Sequence, residues 1–317
     1  MDPQYLPFAE RTIDTQYKDR LRLIRDTGIL TRNDKQTEGT YTSLTIEPMK
    51  FLFSNGFPVI TERKIGFWKR PINELFAFIN GVRDANVLAD EWGVPWWRDS
   101  WATPEKCGHF KLAPYDMGVG SYGPGFHDVE HYVWEEISGH PDGGRYTPRP
   151  FNQFEHLIKQ IKCYGSHRTH VVKSWQPQFC LQHEGLERQV VVAPCHGDIQ
   201  ITILDGKLTL RMTQRSADFP IGIPSNMIQY AALTLAIAHL TGYEPYMFIH
   251  ATNDSHIYER HLDDVESLLA RESTMLPTMY LTEEGKKLTS IFDFRSSHFQ
   301  LTDYIPQPAM TLANAVI

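Results

Sequence analysis

Cys195 and His196 lie between Pro194 and Gly197, and a cysteine so framed is the first residue here able to do covalent chemistry. Its thiolate would be the nucleophile. Pro and Gly breaking an otherwise regular strand mark a bulge or a close ligand. A simple Cys–His dyad does not fit. If VVVAPCHGDIQITIL is extended, neighbouring side chains point to opposite faces, and His196 cannot be the base of Cys195. An Asp205-Gly206 turn then brings Gln214-Arg215-Ser216 back towards the cysteine. A guanidinium there would lower the thiol pKa, unless Arg215 only makes a surface ion pair. Glu74 sits within the apolar run INELFAFI, where a carboxylate is either paired or raised in pKa, and a raised one suits acid–base work. Lys35, Arg168 and Arg215 are cations in polar turns that together could hold a phosphate.

Two further motifs fit their contexts poorly. Gly118-Val-Gly-Ser-Tyr-Gly123 matches a dinucleotide fingerprint, but no convincing strand precedes it and Pro124-Gly125 interrupts the helix that should follow. His127-Asp-Val-Glu-His131 matches a zinc-peptidase pattern, yet it begins right after Pro-Gly and lacks a third ligand. A tight loop and a solvated polar segment are the simpler readings.

The elements that must position these groups are mixed. Residues 5–27 read as helix, TSLTIEPMKFLF as a strand, and Ile72 to Phe78 as the start of a helix with Pro71 near its first turn. Residues 102–150 are irregular, rich in Gly and Pro. Phe151 to Cys163 reads as a short helix, THVVKSW and QVVVAPCHGDIQITIL as strands, and LTLRMTQR as the hairpin partner. Met227 to Leu240 is a buried core helix, too short for a membrane span and stopped by Gly242. Asn226 sits at the start of that helix, a good place for a ligand. Residues 258–271 read as helix, and FIHATNDSHIY and the C-terminal third mix strand and loop. One α+β domain is expected, a mixed sheet with surrounding helices.

The 317 residues suffice for a full core, and a formal charge of -7 argues against nucleic-acid binding driven by overall charge. Four cysteines without a CxxC pair suit a reducing compartment, and no basic n-region with an apolar run opens the chain, so a cytoplasmic protein is expected.

Several short motifs then fall in one order. They are Ala193-Pro-Cys-His196, Gln200, Gln214-Arg-Ser-Ala-Asp218, Gly222-Ile-Pro-Ser-Asn226, Tyr230, Asn253-Asp-Ser-His-Ile-Tyr258 and a final Ala315-Val-Ile317. Asn33-Asp-Lys35 near Gly39-Thr40, Gly56-Phe-Pro-Val59 and Glu74 agree in the N-terminal half. The set resembles the folate-dependent thymidylate synthase family, over nearly the whole chain.

That resemblance implies Cys195 as the thiolate that adds to carbon 6 of uracil, with Arg215 activating it and touching the phosphate. It implies Asn226 on the O4 and N3–H edge, Glu74 organising water and protons near O4, and Tyr122 helping to remove the carbon 5 proton. His196 would support the water network, and His256 and Tyr258 would hold the sugar hydroxyl. Gln214 and Ser216 belong to the nucleotide site, with Lys35, Arg168 and Asp218. Trp97, Trp101, Asp218, Gly222 and Ile317 belong to the folate site, where Asp218 would bind the pterin and Ile317 close over it. The family is a homodimer that shares its phosphate site, and Arg168 looks like a donor to the partner.

Departures from the family pattern are Lys35 for Arg, Thr169 for a second partner Arg, Ser225 for Phe and Phe126 for Trp. They imply a thinner phosphate cage, to which His167 or His170 could contribute. Segments near 102–117 and 176–190 look inserted. The expected reaction is methylation of dUMP by 5,10-methylenetetrahydrofolate, donor of both carbon and hydride, without metal or flavin. Asn226 favours uracil, because relatives acting on cytosine tend to carry Asp there. The alternative is a hydroxymethylase, in which water captures the methylene intermediate.

Overall fold

A computed structural model describes residues 2–32, 38–182, 185 and 187–312. In chain order its strands are β1 (Ile29–Thr31), β2 (Thr40–Ser43), β3 (Met49–Leu52), β4 (Tyr132–Glu136), β5 (Gly144–Pro148), β6 (Val171–Val172), β7 (Asp198–Leu204), β8 (Lys207–Asp218), β9 (Glu244–Tyr258), β10 (Thr278–Leu281) and β11 (Phe299–Thr302). The main sheet runs β1-β2-β9-β8-β7-β6, and β3 also pairs with β9. β9 is 15 residues long, enough to hold β3 along its first half and β2 along its second. β8 and β9 are parallel and the other pairs antiparallel, so the sheet is mixed.

A parallel pair needs a crossover. Here it is the helix Gly222–Thr241, largely apolar and buried almost throughout, as a helix at the centre of a core must be. Gly242 ends it in the left-handed conformation, its N–H returning to the Ala238 carbonyl. The other helices of more than one turn are Gln16–Thr27, Lys69–Ile79, Ala85–Asp90, Pro104–His109, Tyr122–His127, Gln153–Tyr164 and Leu262–Leu269. One core joins these helices to the inner face of the sheet, where Ile201, Leu210, Phe248 and Phe51 lie in one cross-strand row. The chain is a single α+β domain.

The adjacent row, Val171, Gln200, Arg211, Ile249 and Lys50, faces away from the core. All of it but Ile249 is exposed, and Thr202 and Leu52 continue the open face. Arg215 follows Arg211 and Thr213 on this side by the alternation of β8.

Several sequence expectations need correction. The first long helix begins at Gln16 rather than residue 5; only a short 3-10 turn, Phe8–Glu10, precedes it, and buried Arg11 ties that segment to Leu276 and Thr278. TSLTIEPMKFLF is two strands, parted around Pro48. The 102–150 stretch holds a hairpin, β4 with β5, as well as short helices. QVVVAPCHGDIQITIL is strand only from Asp198 onward. Gly197 has φ of 101°, a left-handed value that breaks the strand there. The Asp205-Gly206 turn is as read: both residues have positive φ, 50° and 72°, the mark of a type I′ hairpin.

The Gly-rich 118–123 motif is a packing device. A side chain on Gly118 would collide with the Gln189 carbonyl, and Gly120 N–H donates to that same carbonyl at 3.1 Å. The segments at 102–117 and 176–190 therefore meet: Val191 N–H donates to the Met117 carbonyl, and Arg188 lies over the Phe110 ring at 4.3 Å. His127 ends its helix and His131 lies beyond it, so the two do not share a helical face. Among the described residues no three His, Cys, Asp or Glu side chains gather to hold a metal. No described helix is long and apolar enough to cross a membrane.

Candidate active site

Cys195 lies in the loop that leads into β7, half-buried, with its backbone hydrogen-bonded on both sides and Arg215 beside its thiol. Its backbone N–H donates to the Tyr122 hydroxyl at 2.7 Å, and its carbonyl accepts from Arg215 N–H at 2.8 Å. The Arg215 guanidinium donates to the carbonyls of Pro194 (2.7 Å) and Ala193 (2.8 Å) and lies 3.5 Å from Cys195 Sγ. It also stands over the Trp175 ring at 5.2 Å. Burial pushes the Cys195 thiol up, and the neighbouring Arg215 charge opposes this without reversing it. The guanidinium lowers the thiol pKa as expected, but in the free protein desolvation outweighs it.

His196 turns away from the thiol. Its Nδ1 lies 2.6 Å from the Tyr230 hydroxyl, and its ring stacks on Tyr122 with centroids 4.4 Å apart. Burial depresses its pKa to about 3, with His250 and Arg215 adding to the effect, so the ring stays neutral. The dyad is excluded, though by these partners rather than by strand alternation, because residues 189–197 are not a strand.

Glu74 points from helix Lys69–Ile79 into a second polar cluster. The indole N–H groups of Trp96 and Trp97 both donate to its Oε1, at 2.5 and 2.6 Å, and Gln229 Nε2 donates to Oε2 at 2.6 Å. Trp97 opens a π-helical turn, Trp97–Trp101, of the kind frequent at functional sites. Burial raises Glu74 to about 7 even against these three donors. Among the described residues no cation pairs with Glu74, and its partners are these three hydrogen-bond donors.

Asn226 lies in the first turns of helix Gly222–Thr241, on the same face as Gln229 three residues on and Tyr230 four residues on. Its Nδ2 donates to Gln229 Oε1 at 2.9 Å, and its Oδ1 accepts from Gln214 Nε2 at 3.1 Å. Gln214 also donates to the Ser216 carbonyl, and His250 Nε2 lies 2.9 Å from its Oε1.

At the C-terminal ends of β8 and β9, Asp218 pairs in register with His256. Asp218 Oδ1 accepts from Ile221 N–H at 3.3 Å, while Oδ2 is buried without a partner among the described residues. Burial raises the pKa of Asp218. Burial disfavours charge on His256 too, but Asp254, 3.3 Å from its Nδ1, and Asp218 hold that ring above its ordinary pKa. Tyr258 sits edge-on to His256 at 5.2 Å, and Trp101 edge-on to Trp97 at 4.8 Å. Gly222 opens the long helix beside Asp218.

Arg168 lies apart, exposed on the turn between helix Gln153–Tyr164 and β6. His170 is fully buried and its two ring nitrogens face Gln160 Oε1 and the Gly165 carbonyl, so it has no free edge for a phosphate. Lys35 and Ile317 lie outside the described residues. Sequence reading missed Trp96, Trp175 and Gln229. The signals were there: Trp96 adjoins Trp97, and Gln229 is one helical turn from Asn226.

A family model described as thymidylate synthase matches residues 15–316. Members of this family are one-carbon transferases that bind dUMP and a folate and use methylenetetrahydrofolate. With the match running over nearly all of its length, this chain belongs to the thymidylate synthase family.

Proposed function

We propose that this protein is a thymidylate synthase, converting dUMP and 5,10-methylenetetrahydrofolate to dTMP and dihydrofolate. The observation that carries the reading is the presence of three parts: a thiol beside a guanidinium, a buried carboxyl raised to about 7, and an asparagine amide held between Gln214 and the Gln229 that reaches this carboxyl.

Cys195 thiolate adds to carbon 6 of the uracil, and the C5=C6 electron pair moves onto carbon 5 and O4 as an enolate. Arg215 stabilises the thiolate and meets the phosphate. Asn226 pairs with O4 and N3–H, and Glu74 moves protons through water near O4. Carbon 5 attacks the one-carbon unit, and Tyr122 assists loss of its proton. Departure of tetrahydrofolate leaves an exocyclic methylene. A hydride from tetrahydrofolate makes it a methyl group, and Cys195 leaves as C5=C6 re-forms. Capture by water would instead give a hydroxymethyl group and leave tetrahydrofolate unoxidised.

The unpartnered Asp218 Oδ2 supports a folate site, because a pterin ring carries N–H donors that such an oxygen would accept. Trp97, Trp101 and Gly222 would line that folate site, and Ile317 would close it against water. His256, Tyr258, Gln214 and Ser216 would hold the nucleotide. The open sheet face supports a homodimer in which Arg168 of the partner subunit, with Lys35, completes the phosphate site beside Arg215. The segments near 102–117 and 176–190 are read as additions to the family frame.

The test is release of tritium from [5-³H]dUMP on adding methylenetetrahydrofolate. Either product requires loss of the carbon 5 hydrogen, so the account expects stoichiometric release. Retention of tritium under saturating donor would reject substitution at carbon 5.

A further inference from the structure

Five buried side chains form one directional line: His250, Gln214, Asn226, Gln229 and Glu74. The links are His250 Nε2 to Gln214 Oε1 (2.9 Å), Gln214 Nε2 to Asn226 Oδ1 (3.1 Å), Asn226 Nδ2 to Gln229 Oε1 (2.9 Å) and Gln229 Nε2 to Glu74 Oε2 (2.6 Å). Each amide has a donor end and an acceptor end, so one fixed end orients the next. Both ends here are fixed. Ionised Glu74 only accepts, which forces Gln229 to show its oxygen to Asn226. The Ser216 carbonyl only accepts as well, 2.9 Å from Gln214 Nε2, which forces the same nitrogen of Gln214 towards Asn226 Oδ1.

Asn226 is therefore bolted on both sides, with one N–H and one oxygen lone pair left over. Their order matters. Uracil shows an acceptor at O4 beside a donor at N3, whereas cytosine shows a donor at its amino group beside an acceptor at N3. An amide free to turn over would accept either base. We propose that Gln229 is a positioning residue for base selection, locking the Asn226 amide in the order that matches uracil and rejects cytosine. This rests on the uracil-nucleotide reading above. Turning Asn226 over would set nitrogen against Gln214 nitrogen and oxygen against Gln229 oxygen, two buried contacts without a hydrogen bond.

The test is calorimetric titration of dUMP and dCMP into the whole protein at pH 8, where Glu74 is mainly ionised. It needs no folate and no turnover. Wild type is expected to prefer dUMP. Gln229→Met, close in volume, removes one bolt, and the dUMP:dCMP affinity ratio should fall about tenfold. Gln229→Glu keeps an acceptor facing Asn226 and can share a proton with Glu74, so it should retain most of the preference. An equal loss for both nucleotides in Gln229→Met, or an unchanged ratio, would overturn the proposal. A wild type with no preference for dUMP would reject the uracil reading itself, visible without any variant.

Discussion

Cys195→Ala should lower turnover by at least roughly 10⁴-fold while dUMP still binds within a few-fold of wild type. Removing a nucleophile costs factors of this order, because nothing else in the site can form the covalent bond. Among the described residues the site holds no substitute: His196 is committed to Tyr230 and stays neutral, with a pKa of about 3. Tyr122 is held above the ordinary phenol range by burial. The other cysteines are Cys107 and Cys180, both buried, and Cys163, exposed on helix Gln153–Tyr164. The hydrogen bonds that shape the loop use the backbone of residues 193–195, so alanine keeps them. Single-turnover kinetics with dUMP, beside a binding titration, separates the two effects. Turnover within about tenfold of wild type would remove Cys195 from the chemistry.

The second large effect concerns Glu74. Its carboxyl is raised from 4.5 to about 7 by burial, so wild-type activity should bend near pH 7. Glu74→Gln should lower kcat by about 10²- to 10³-fold, within the span of acid–base contributions, and should lose that bend. Stability carries the same signature. Between the unfolded and folded pKa values the folded protein keeps a proton that the unfolded chain has lost. The resulting stability is present below about 4.5 and disappears as pH rises through about 7. Unfolding of wild type against Glu74→Gln, followed from pH 4 to 8, should therefore diverge by about 3 kcal/mol, with wild type losing ground as pH rises. Parallel curves would mean an ordinary carboxyl at this position.

The residue types of the candidate site were more legible than the path of the backbone. Cys195, Arg215, Glu74 and Asn226 stand out because each is a reactive or polar type in a telling neighbourhood, and the folded chain gathers them. The Asp205-Gly206 turn was equally plain, since few residue pairs tolerate positive φ twice. What sequence reading missed depends on distant partners. Residues 189–197 look like strand by composition, but Arg215 claims the carbonyls of residues 193 and 194, and Gly197 bends the chain against Phe126 and Ser174. Gln229 carries no signal of its own in the buried helix Gly222–Thr241. Its worth comes from Glu74, 155 positions away in sequence. The net shift at Cys195 was illegible for a related reason: a guanidinium can be inferred from the hairpin, but the degree of desolvation cannot.

The most direct test of the central claim is incubation of the protein with dUMP and methylenetetrahydrofolate, with mass analysis of the nucleotide and absorbance recording of dihydrofolate. The account expects a gain of one methyl group, with one dihydrofolate formed per nucleotide. A hydroxymethylated nucleotide without dihydrofolate would contradict it, because water rather than hydride would then have reached the methylene intermediate.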